Sequence, residues 1–85
     1  MTKTLNVEID ATVNNTNAAK QFIEELEHQY ADLTVSNVNV SSNKVSFSVA
    51  SPGMDDLTAA DVKFRIDEFV SMNVPPFTIK KINVS

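Results

Sequence analysis

From Thr4 to Val13 the chain alternates without a fault. Leu5, Val7, Ile9, Ala11 and Val13 fall on one side, and Asn6, Glu8, Asp10 and Thr12 on the other. Successive side chains of a strand point to opposite faces, so period two predicts a strand buried on one face only. An apolar face of that length must be covered, and the rest of the chain has to supply the cover.

Two later segments have the helical period that such a cover needs. After the turn-rich run Asn14-Asn15-Thr16-Asn17, whose residues are all good helix caps, Ala19, Phe22, Ile23, Leu26 and Tyr30 recur at spacings of three and four. Glu24, Glu25, Glu27 and Gln29 lie off that stripe and read as a solvated face, with Asp32 leading out of the helix. The second segment, Leu57–Asn73, is the best-punctuated in the chain. Thr58 and Asp61 have capping-box spacing, and Leu57 and Val62 have that of a hydrophobic staple. Asp55, Asp56 and Asp61 stand at the positive end of the helix dipole. Val62, Ile66, Phe69 and Val70 form its buried stripe, with Ala59 and Asn73 at the ends. Asn73 is expected to close the helix in a left-handed conformation, and Pro75-Pro76 forbid continuation.

Three more strands complete the pattern. Leu33 to Val40 breaks phase, because Leu33 and Val35 share one face of a regular strand while Val38 and Val40 share the other. A bulge near Ser36-Asn37 reconciles them. Ser41-Ser42-Asn43 is a turn, and Lys44 to Ala50 alternates with Val45, Phe47 and Val49 inward, so the two strands are expected to form a hairpin. Pro52-Gly53 fits the centre of a type II turn. Phe77 to Val84 breaks phase at Lys80-Lys81, which marks a second bulge.

The order strand, helix, strand, strand, helix, strand resembles the ferredoxin-like plan, an α+β sandwich with both helices on one face of a four-stranded antiparallel sheet. Right-handed crossovers put the first and third strands in the centre and the two irregular strands at the edges. At 85 residues the chain is expected to be a single domain, and with no cysteine its 42% hydrophobic content must supply the stability.

Composition and residue type narrow the function. A net charge of −4 with seven scattered basic residues offers no concentrated basic surface for phosphates. The open face of the central strands, Asn6, Glu8, Asp10, Thr12, Ser46 and Ser48, has no aromatic group for stacking bases. The single glycine, Gly53, rules out a glycine-rich phosphate loop. No apolar run reaches the ~18 residues of a membrane helix. Nor does Met1–Asp10 read as a signal peptide, because Glu8 and Asp10 interrupt it. We therefore expect a cytoplasmic chain, and we read the acceptor triplets at Asn14, Asn39 and Asn83 as chance.

Site chemistry is sparse. His28, the only histidine, has Glu24 one turn earlier but no third metal ligand in view. No serine stands in a nucleophile elbow, and Arg65, the only arginine, lies mid-helix. No cofactor, metal or catalytic residue is expected. What remains is contact with a protein partner or a second copy. Leu33 to Asn43 contains no charged residue, which leaves the second strand a poorly guarded edge. Val35, Asn37 and Asn39 are its candidate contact residues. Phe64 points away from the helix stripe and is a second candidate, with Met54 and Met72 beside it in the same role. A ligand-binding regulatory module of the amino-acid-sensing type is the alternative reading, its site near the polar loop after the first strand.

Overall fold

A computed structural model describes residues 4–30, 33–51 and 57–85. The expected turn at Pro52-Gly53, the charges of Asp32, Asp55 and Asp56, and the position of Met54 lie outside them. Six elements follow in the order β1 (Thr4–Val13), α1 (Thr16–Gln29), β2 (Thr34–Val40), β3 (Lys44–Ala50), α2 (Ala59–Met72) and β4 (Phe77–Val84). The strands form one sheet in the order β2-β3-β1-β4, with every neighbouring pair antiparallel. The two cleanly alternating strands are central and the two irregular ones are the edges, as expected from the sequence.

The odd-numbered residues of β1, together with Val45, Phe47 and Val49 of β3, form one buried cluster with Ala19, Ile23 and Leu26 of α1 and Val62, Ile66 and Phe69 of α2. Both helices therefore cover the same face. Phe22 of α1 sits where three elements meet. Its ring lies 4.8 Å from Phe69 of α2 and 5.6 Å, edge-on, from Phe77 of β4. Aromatic pairs in these orientations add to what area burial alone contributes. Tyr30, just past α1, donates from its hydroxyl to Glu68 Oε1 at 2.5 Å, and the Arg65 guanidinium lies 5.9 Å from its ring centroid. The end of α1 is thus tied to the middle of α2.

Local chemistry sets the element ends. Asn15 caps α1, its Oδ1 accepting from Ala18 N at 3.0 Å. On α2 both halves of the capping box form: Asp61 N donates to Thr58 Oγ1, and Thr58 N donates to Asp61 Oδ2. Leu57 and Val62, the residues of the staple, are both fully buried. The expectation for Asn73 is corrected. Its backbone is extended (φ −128°, ψ 119°), not left-handed. Its backbone N–H still donates to the Phe69 carbonyl at 2.9 Å, and its side chain adds a second bond to that oxygen, Nδ2 donating at 3.1 Å and reaching Gln29 Oε1 at 3.4 Å. With that carbonyl held by both donors of Asn73, no reversal of φ is required.

Both bulges are present. Between β2 and β3 the register runs from Ser36↔Ser48 to Asn39↔Ser46, three steps on one strand against two on the other. Asn37 takes up the extra residue at φ 52°, a left-handed conformation that asparagine tolerates better than most residues. Between β1 and β4 the register runs from Asp10↔Lys81 to Ala11↔Ile79, so Lys80 is the inserted residue. Each insertion returns the later apolar residues to the core face, and Val38, Val40, Ile79, Ile82 and Val84 all pack against the core.

Candidate functional site

Two surfaces stand out: the bare face of the sheet and the outer edge of β2. On the bare face, cross-strand rows bring Ser36, Ser48 and Asn6 together, then Asn39, Ser46, Glu8 and Asn83. The twist of the sheet makes a shallow trough there of about 330 Å³, lined by Asn6, Glu8, Asn37, Asn39, Ser46 and Ser48. Ser48 is only 6% exposed although it faces away from the helices, and its hydroxyl donates to Asn6 Oδ1 at 3.1 Å. Two further polar contacts lie beside it. Lys44 Nζ lies 4.0 Å from Glu8 Oε2, and Asn39 Nδ2 donates to the Asn37 carbonyl at 3.3 Å. Asp10 stands in register between Lys44 and Lys81 on the neighbouring strands, where opposite charges stabilise the sheet.

The trough therefore presents hydroxyls, amides and one screened carboxylate, and the one ring among its lining residues, Phe47, is buried in the core. Among the described residues no three His, Cys, Asp or Glu side chains come together as a metal cluster, and His28 and Glu24 lie on the exposed face of α1. No described helix is long and apolar enough to cross a membrane. The loop after β1, where an amino-acid-sensing site would lie, spends Asn15 on capping α1.

At the edge, among the described residues, β2 pairs only with β3. An edge strand presents a row of backbone donors and acceptors, and natural proteins guard such rows with lysine, proline or bulges. The opposite edge, β4, has Pro75-Pro76 at its entry, and Lys80-Lys81 with the inserted residue within it. On β2 only the kink at Asn37 interrupts the row.

The four sequence-derived candidates separate. Asn37 and Asn39 line the trough beside the edge. Val35 turns its side chain toward the core and offers the edge its backbone. Phe64 is 67% exposed on α2, which packs with β4 at the opposite edge of the sheet, whereas α1 packs with β2. Met72 and Val74 are also exposed, at 64% and 94%. Sequence reasoning missed the trough, whose only signal was the pairing of small polar residues across β1 and β3. Comparison with family models, curated proteins and solved structures finds no significant match.

Proposed function

We propose that this chain is a non-enzymatic interaction module on a ferredoxin-like frame, and that its docking element is the outer edge of β2, which receives an extended strand from a protein. The observation that carries this reading is the asymmetry of the two edges. One is guarded by two prolines and two lysines, and the other is uncharged from Leu33 to Asn43. Strand addition draws affinity from main-chain hydrogen bonds and specificity from alternate side chains, so it needs no pocket. The reading assumes a cytoplasmic setting, where a chain without cysteine reaches its fold with no oxidising step. A ligand-binding regulatory module stands second and rests on the trough alone.

Ser36→Lys tests the reading, because it places a charge on the exposed face of β2 next to the kink. Proteins or copies retained by the immobilised parent chain should be lost from this variant, and β2 amides should gain hydrogen-exchange protection only when the parent is in complex. Binding that Ser36→Lys leaves intact would overturn the reading.

A further inference from the structure

Resting on that docking reading, we infer that the strand received by β2 is β2 of a second copy, antiparallel about a two-fold axis between Ser36 and Asn37. Residues directly opposite in an antiparallel ladder share a face of the sheet. On β2 the core-facing residues are Leu33, Val35, Val38 and Val40, while Thr34, Ser36 and Asn39 are exposed and Asn37 lines the open-face trough. One register satisfies every position: Leu33 opposite Val40, Thr34 opposite Asn39, Val35 opposite Val38, and Ser36 opposite Asn37. A regular strand keeps this match only as β3 does, by setting one of its residues against two of β2 at the kink. A second copy brings the same kink and matches it residue for residue. Pairing also covers Val35, Val38 and Val40, which are only half-buried.

The flank of α1 above this edge is self-complementary in the same sense. Phe22 touches Phe69 and Gln29 meets Asn73, so that side of α1 faces α2. At about 100° per residue, Lys20 and Glu24 lie ~160° around from Phe22, and Glu27 lies ~140° around, so all three are on the flank that overhangs β2. β2 climbs ~3.3 Å per residue, which puts the proposed axis about 8 Å from Thr34. The hydrogen bond from Leu33 N to Tyr30 O, 3.0 Å, ties the end of α1 to the start of β2. Helix rise of ~1.5 Å per residue then brings that level to about five residues before Gln29, midway between Lys20 and Glu27. Two-fold symmetry there sets Lys20 across from Glu27 of the second copy, twice. Glu24 falls near its own symmetry mate, and Lys20 one helical turn before it offsets that repulsion.

The test uses the full chain, which has no cysteine of its own. Sedimentation up to about 0.1 mM covers the micromolar affinity of a small interface, and it should show association beyond the 9.4 kDa monomer. Under mild oxidation, a mixture of Thr34→Cys and Asn39→Cys chains should form a disulfide-linked dimer, and neither variant alone should do so. Lys20→Glu should weaken association by roughly tenfold or more, since it makes both flanks wholly acidic. Lys20→Glu with Glu27→Lys should restore it. Circular dichroism melts confirm that each variant is folded. A monomer throughout, or cross-links in the single-variant samples, overturns the second-copy proposal. If Ser36→Lys dissolves the dimer but the mixed cysteines do not join, the register is wrong and the docking edge stands. If Ser36→Lys has no effect on the dimer, the docking edge itself is wrong.

Discussion

Tyr30 has the most informative titration in the chain. Burial of its ring raises the phenol first, then the hydrogen bond to Glu68 and the charge of Glu68, while Arg65 pulls the other way; the outcome is about 12 against an ordinary 10.0. A raised value for a group that is neutral when protonated means that its contribution is complete below pH 10 and is lost as the pH climbs toward 12. As the only tyrosine in a chain without tryptophan, it should give a single tyrosinate absorbance step near pH 12. Glu68→Gln should move that step down toward 10. A midpoint at the ordinary value in the parent chain would mean that the bond between α1 and α2 does not hold in solution. The stripe of α1 made Tyr30 legible as a packing residue. Its partner was not legible, because periodicity places a side chain on a face without saying which neighbouring element approaches it.

At the scale of elements, sequence reasoning was strongest where one residue does one backbone job. Thr58 and Asp61 form the reciprocal cap their spacing implies, so Thr58→Ala should lower stability by about 1 kcal/mol. Urea unfolding should show that loss as a lower midpoint with unchanged slope, and an unchanged midpoint would mean that the box contributes nothing. Both bulges were readable for a similar reason, since a phase break in an alternating strand has few other physical solutions. Asn73 was misread because two devices can satisfy the last carbonyls of a helix. Here the backbone N–H and the side chain of Asn73 both donate to the Phe69 carbonyl, and the same side chain reaches Gln29 of the other helix. The depth of Ser48 escaped for a related reason, because alternation assigns a face but not the curvature of that face.

Across the whole molecule, the order of the elements and the alternation of β1 and β3 suffice to place each strand in the sheet. The surfaces that bear on function depend on how the pieces are tilted and stacked. Which flank of α1 overhangs β2 follows from the contact between Phe22 and Phe69, and no helical period specifies that.

The extra residue of β2 has one more consequence. Were Asn37 deleted, Leu33, Val35, Val38 and Val40 would fall into unbroken alternation, and every hydrophobic side chain would keep its place against the helices. The chain has one link of slack here, and it holds that slack in a left-handed twist instead of discarding it. Such a link works as a filter: the shortened chain should fold as before but adhere less selectively, to straight strands of any origin, through a straighter border. Light scattering at matched concentration would register the difference, and equal scattering would show that the kink restrains nothing.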